Sequence, residues 1–194
     1  YQMTDIGYEL SIGTICHENG HMLFGWPDLY AYDNSSGGTG RYCIMSSNSS
    51  KNPQQPNPYF RQKEDWITLE NITDAQAGSV FYHLANSDHS YYYSGGNNEY
   101  YFIEARLREG RSVALRDEGL AIWHVDLDGK NTYDDYEDHV VLEQADGDFD
   151  LENRANSGDS GDMFRAGYRD QFNDDTSPSA VWHDYTNTYI DIAN

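Results

Sequence analysis

The sequence predicts an α+β protein, with one short amphipathic helix near its start and a mostly antiparallel β unit after it. Two observations carry this. Between Ile12 and Leu23 apolar residues recur at helical spacing, and from Thr68 onward the period shifts to that of strands. A third bounds the size: 194 residues suffice for one domain of ordinary dimensions with a real core.

At about 100° per residue, Ile12, Ile15, Cys16, Asn19, Met22 and Leu23 form one mostly apolar stripe. Gly13, His17, Gly20, His21 and Phe24 fall on a different face. Ser11 is the expected N-cap, and Gly25 followed by Pro27 is the expected stop. Gly20 inside the helix costs about 1 kcal/mol relative to alanine. That cost implies another backbone passing close to the histidine face.

The histidine face carries His17-Glu18-Asn19-Gly20-His21, a His-Glu-x-x-His pattern. Residues i and i+4 of a helix are neighbours, about 5–6 Å apart at Cβ. His17 and His21 can therefore present two imidazole nitrogens to one zinc ion, at about 2.0–2.1 Å each. Glu18 flanks that face and can reach a water on the metal without becoming a ligand. Zinc lowers the pKa of such a water towards about 7, where a neighbouring carboxylate can take its proton. The plainer alternative is a pair of surface histidines on an amphipathic helix.

The formal net charge is −21, from 33 acidic against 12 basic residues. A phosphate backbone or an anionic membrane would be repelled, which argues against nucleic acid and anionic membranes as partners. No apolar run approaches the roughly 20 residues that span a bilayer. The charge suits a secreted protein that binds Ca²⁺, a solvated acidic surface being the alternative.

The longer run Cys16-His17-Glu18-Asn19-Gly20-His21-Met22-Leu23-Phe24-Gly25-Trp26-Pro27-Asp28-Leu29-Tyr30 resembles the active-site segment of the immune inhibitor A-like metallopeptidases, family M6, which are metzincin-like zinc endopeptidases. The resemblance implies zinc held by His17, His21 and Asp28, with Glu18 as general base and protein or peptide substrates. Gly25 and Asp28 stand four and seven residues after His21, each one further than in the related motif, so Asp33 is a reserve third ligand. In such enzymes a tight turn places a methionine beneath the metal as an apolar floor. Met45, within Arg41–Ser47, is the candidate for that Met-turn. If the two segments close around the metal, Cys16 and Cys43 could meet in a disulfide, with two free buried thiols as the alternative.

The resemblance extends over nearly the whole chain and divides it. Residues 1–67 read as the C-terminal part of a catalytic domain, and 68–194 as the β-rich remainder. It also implies a longer secreted precursor, whose upstream part would supply a sheet, a signal peptide and a pro-segment. Tyr32 to Gly40 reads as an exposed loop, and Ser49 to Pro58, with three prolines, as a loop over the cleft rim. Tyr59 to Ile67 resembles the short helix that closes the catalytic part.

Strands are expected at Ser79–Leu84, Glu99–Arg106, Gly119–Asp126 and His139–Asp146, with turns at Ser94–Asn97 and Asp128–Asn131. Glu99–Arg106 and Gly119–Asp126 also resemble segments downstream of the M6 active site. His124, beside Trp123 on a strand, reads as a hydrogen-bonded core residue with no part in chemistry. From Asp134 to Asp175 there are 14 acidic residues against three arginines. Asp146, Asp148, Asp150, Asp159 and Asp162 are candidate Ca²⁺ ligands, the last two within a Gly-Asp-x-Gly-Asp segment that resembles the family. The chain closes on a turn at Ser177–Trp182 and a strand near Tyr189–Ile192. A rival function is a non-catalytic, calcium-stabilised β module or an inactive peptidase fragment.

Overall fold

The computed structural model describes residues 12–47, 51–132 and 138–193. The chain is mixed α+β with few helices and a mostly antiparallel sheet. Helix α1 (Gly13–Phe24) ends where expected: Gly25 adopts a left-handed conformation (φ 66°), and its amide donates to the His21 carbonyl at 3.0 Å. Ser11 lies outside the described residues. The N-cap position falls on Ile12, which offers no side-chain cap.

The apolar stripe of α1 is its outer face. Met22 and Leu23 are 74% and 63% exposed, whereas the buried residues of the helix are Gly13, His17 and Gly20. The usual amphipathic rule is inverted because the helix docks through its histidine face. What approaches Gly20 is also not the backbone that the sequence suggested. A Cβ there would lie 2.4 Å from Met45 Sδ and 3.1 Å from a Trp26 ring carbon, so two side chains occupy the space.

Helix α2 (Pro58–Lys63) starts with proline at its first turn and is capped by Asn57, whose side chain accepts from the Phe60 amide at 2.9 Å. It is shorter than the Tyr59–Ile67 segment expected. The preceding loop does not border the cleft over its described part. Gln54 and Asn57 are buried, Gln55 reaches Glu104, and the Pro56 carbonyl accepts from Arg106 at 3.4 Å. Buried charge on the sheet pulls this proline-rich stretch inward.

The main sheet runs β1 (Thr68–Asn71), β2 (His89–Ser94), β3 (Glu99–Arg106), β4 (Gly119–Asp126), β5 (Val140–Leu142), in that spatial order. The β1–β2 pair is parallel and the other three are antiparallel. β3 and β4 pair along their whole lengths, from Glu99 opposite Asp126 to Arg106 opposite Gly119. Ser79–Leu84 is not a strand. It belongs to the crossover between the parallel strands β1 and β2, and both edges of β2 are already taken by β1 and β3. His139–Asp146 shortens to β5. Two further strands, β6 (Gln171–Asn173) and β7 (Asp191–Ala193), form a small antiparallel pair.

Alternation along β3 and β4 sends side chains to two cores. Phe102, Trp123 and Val125 join Trp26, Leu29, Tyr42, Met45, Phe60 and Met163 on one side. Tyr101, Ile103 and Ile122 join Phe164, Phe172, Trp182 and Ile190 on the other. Both central strands are therefore buried on two faces, which explains their largely apolar and aromatic character. Glu104 on β3 gathers the first core's charges: Arg61 of α2, Arg106, and the Trp123 indole at 3.0 Å all donate to it. Burial alone would raise its pKa, but Arg106 and Arg61 hold it below the usual carboxylate range. Arg106 also donates to the Tyr42 carbonyl at 2.5 Å, which anchors the segment leading to Met45.

Candidate metal centre

The centre begins with the two imidazoles of α1. His17 Nδ1 lies 2.8 Å from the Ile44 carbonyl and His21 Nδ1 lies 2.6 Å from the Trp26 carbonyl. A carbonyl only accepts, so each Nδ1 carries the proton and each neutral ring presents the Nε2 lone pair. Those two lone pairs face one another, with the nitrogens 3.1 Å apart. Asp28 Oδ1 completes a triangle, 3.0 Å from His17 Nε2 and 3.2 Å from His21 Nε2. Oδ1 is buried and receives no hydrogen bond. Three electron pairs thus converge on one point with no donor between them, an arrangement that could hold a cation.

The fit to zinc can be tested on these distances. Tetrahedral ligands at about 2.0–2.1 Å from zinc stand about 3.3 Å from one another, close to the observed edges. Two imidazoles and a carboxylate are a zinc-type donor set that leaves a fourth position open. The residues therefore fit the ion. Asp33, the reserve ligand, is elsewhere: its Oδ1 accepts from the amide and hydroxyl of Ser35 in an exposed turn. Gly25 turns the chain in left-handed conformation, after which Asp28 lies back against the two histidines of the helix.

Several surrounding groups hold this geometry. Tyr32 Oη donates to Asp28 Oδ2 at 2.8 Å and orients the carboxylate. The Leu29 amide donates to the Met45 carbonyl at 2.8 Å, so the Asp28 segment is fastened to the turn that carries Met45. Met45 is fully buried against Gly20, which directly precedes His21 and follows His17 by three residues. Trp26, whose carbonyl aligns His21, is stacked between Phe24 and Phe60, at 4.7 and 5.2 Å between ring centres. Tyr30 sits beside the centre. Burial, then Asp28 and Glu18, raise its phenol above the ordinary range. Trp26, Tyr30, Tyr32 and Ile44 were not singled out in the sequence. Two tyrosines within four residues of Asp28 were a usable signal for the phenols, but a backbone carbonyl leaves none.

Glu18 is exposed and opens, with His17, onto a cleft of about 430 Å³. It belongs to no ligand triangle. Among the described residues, no hydrogen bond or ion pair engages its carboxylate.

The cysteines are not bonded. Cys16 is exposed on the outer face of α1, while Cys43 is buried in the first core. Position on opposite sides of the helix explains the separation, so the disulfide expectation is corrected. Burial pushes the Cys43 thiol up, which leaves it unreactive at neutral pH.

Of the five candidate calcium ligands, three come together: Asp146, Asp159 and Asp162. Asp148 and Asp150 do not join them. The Asp148 amide donates to Asp146 Oδ1, and Asp150 accepts from Asn156 at 2.7 Å. Alternation in sequence did not become convergence, because positive φ at Gly147 and Phe149 breaks the extended run. Burial, partly offset by hydrogen bonds from Tyr42 and the Asp159 amide, raises Asp162 to about 6.

A further grouping of Glu99, His124 and His183 needs no ion. His124 Nε2 and the His183 amide each contact Glu99 Oε2 at 2.9 Å, and His183 Nδ1 pairs with Asp126 Oδ2 at 3.0 Å. Here the polar atoms satisfy one another, unlike the orphaned Oδ1 of Asp28. Comparison of the chain with protein-family models, curated proteins and solved structures returned no match.

Proposed function

We propose that the chain is a metzincin-like zinc metalloendopeptidase of the M6 type, secreted and acting on protein or peptide substrates. The observation that carries the reading is the triangle of His17 Nε2, His21 Nε2 and Asp28 Oδ1, with Oδ1 buried and unpartnered. Its support is chemical: three lone pairs, two fixed by carbonyl contacts at Nδ1, aim at one point beside an exposed carboxylate. Met45 beneath Gly20 supports the Met-turn of that family.

Zinc held there would supply Lewis acidity toward a scissile carbonyl and a bound water. His17, His21 and Asp28 would hold it, with Tyr32 orienting Asp28. Glu18 accepts the proton of the attacking water and delivers it to the leaving amine. The open cleft in front of Glu18 admits the peptide. Calcium belongs to the same proposal, held by Asp146, Asp159 and Asp162 as a stabilising ion.

The experiment is Glu18→Gln in the full-length mature protein. Zinc content, read by mass spectrometry of the metal, should stay near one equivalent, while peptide hydrolysis falls by about 10²–10⁴-fold. His17→Ala and His21→Ala should lose both. Full proteolysis in Glu18→Gln would remove the chemical basis of the reading. Absence of hydrolysis in the wild type would favour the non-catalytic calcium-stabilised module.

A further inference from the structure

The cleft is built from two distant parts of the chain. Thr14, His17 and Glu18 of α1 form one side, and Arg154, Asn156 and Ser157 of the acidic segment contribute to its lining. That segment is fixed in place: the Gly37 amide donates to the Leu151 carbonyl and the Arg41 amide to the Ser157 carbonyl, each at 2.9 Å. Arg154 stands at the end of a tight turn, in left-handed backbone conformation (φ 54°), with its amide on the Leu151 carbonyl at 3.1 Å. Its guanidinium spends one nitrogen, Nη1, on the Asn34 carbonyl at 3.1 Å. No carboxylate of the described residues pairs with it, in a protein of net charge −21.

Among the described residues that line the cleft, Arg154 is the one lysine or arginine. The remaining lining is mostly polar, with Ala31 and the Tyr30 ring among it. A guanidinium anchored at one nitrogen keeps its other N–H groups in a planar fork, the shape that binds a carboxylate through two hydrogen bonds. The protein's overall field repels an anionic peptide at long range. Within the screening length of about 8 Å at physiological salt, the local cation decides.

We propose that Arg154 sets the specificity of the cleft and selects peptides that carry a carboxylate beside the scissile bond. The inference rests on the peptidase reading for its substrate class, but its test is a binding measurement. Glu18→Gln protein loaded with one equivalent of zinc is titrated with labelled peptides in 0.15 M salt, followed by fluorescence anisotropy. The peptides differ only next to their central bond: glutamate, lysine or leucine there, all with amidated ends. A fourth, shorter peptide carries leucine and a free terminal carboxylate at the same distance.

The glutamate peptide should bind roughly tenfold more tightly than the leucine peptide, the scale of a charge-assisted pair. Tighter binding of the fourth peptide instead would assign the same fork to a chain terminus. Adding Arg154→Glu should invert the order in favour of lysine, while Arg154→Lys should keep a weakened acidic preference. Equal affinity for the four peptides, binding of none, or a preference that survives Arg154→Glu would overturn the role of Arg154. Cleavage of the same set by the wild-type chain is scored separately. If peptides bind in the expected order and none is cut, the peptidase reading fails and the Arg154 site stands.

Discussion

Tyr32 and Gly20 carry no chemistry of their own, yet each controls how the centre is held. Removing the phenolic hydroxyl by Tyr32→Phe leaves Asp28 Oδ2 without the donor at 2.8 Å. Loss of such an orienting hydrogen bond weakens metal binding by about 10–100-fold. Competition with a calibrated zinc chelator should show that drop with an unchanged circular dichroism spectrum, and an unaltered affinity would deny Tyr32 the orienting role. Gly20→Ala tests the contact with Met45. Alanine favours the helix by about 1 kcal/mol, but its Cβ would lie 2.4 Å from Met45 Sδ, an overlap that costs about 1–3 kcal/mol. Urea unfolding should therefore show a net loss of stability, relieved when Met45→Ala is added. His17, Glu18 and His21 were legible in the sequence because their relation depends only on helical spacing. Asp28 was ambiguous with Asp33, since the turn between helix and ligand has no fixed period.

Among the elements, the acidic segment between β5 and β6 carries carboxyls whose burial makes its stability depend on pH. Burial, partly offset by hydrogen bonds, raises Asp162 to about 6, and burial first, then neighbouring carboxylates, raises Asp146. A carboxyl whose folded pKa exceeds its unfolded value stabilises fully below the unfolded value. Its contribution is lost as pH rises through the folded value. Without calcium, the melting temperature should therefore fall between about pH 4 and pH 7. With millimolar calcium the ionised carboxylates gain a partner, and the decline should flatten. Asp162→Asn should abolish the calcium response, whereas Asp148→Asn should not, since Asp148 lies outside the group. Identical melting curves with and without calcium at pH 7.5 would dismiss the site. The sequence showed the carboxylates but could not sort them. Convergence was decided by positive-φ turns at Gly147 and Phe149 and by the return of the chain through Asp159 and Asp162.

For the molecule as a whole, the two-sided burial of β3 and β4 places ionisable groups inside. Glu143, just after β5, is pushed up to about 8, first by burial and then by Glu152, which itself rises to about 7. Burial also lowers the pKa of His124, whose Nδ1 lies 3.7 Å from Glu143. By the same linkage, the raised carboxyls stabilise at low pH and lose that contribution as pH climbs through 7 and 8. Glu143→Gln should accordingly raise stability at pH 8 by about 1–3 kcal/mol and change little at pH 5. Chemical denaturation at the two pH values reads this directly. An equal effect at both would mean that Glu143 is ionised throughout.

Elements with an internal period were determined by the sequence itself. The helix around His17, and the strands Glu99–Arg106 and Gly119–Asp126, stand where their patterns put them, since helical repeat and dense β-branched and aromatic content depend only on near neighbours. Ser79–Leu84 has strand composition but became part of the crossover from β1 to β2, whose own two edges are taken by β1 and β3. The tertiary structure alone decided which way the helix faces, that Cys16 and Cys43 stay apart, and that Asp28 closes the triangle. It also brought Arg154 to the cleft from 136 residues beyond Glu18. Each of these depends on loops whose paths are set by the groups they must satisfy on arrival: carbonyls at two imidazoles, a methionine against a glycine, and buried charge on the sheet.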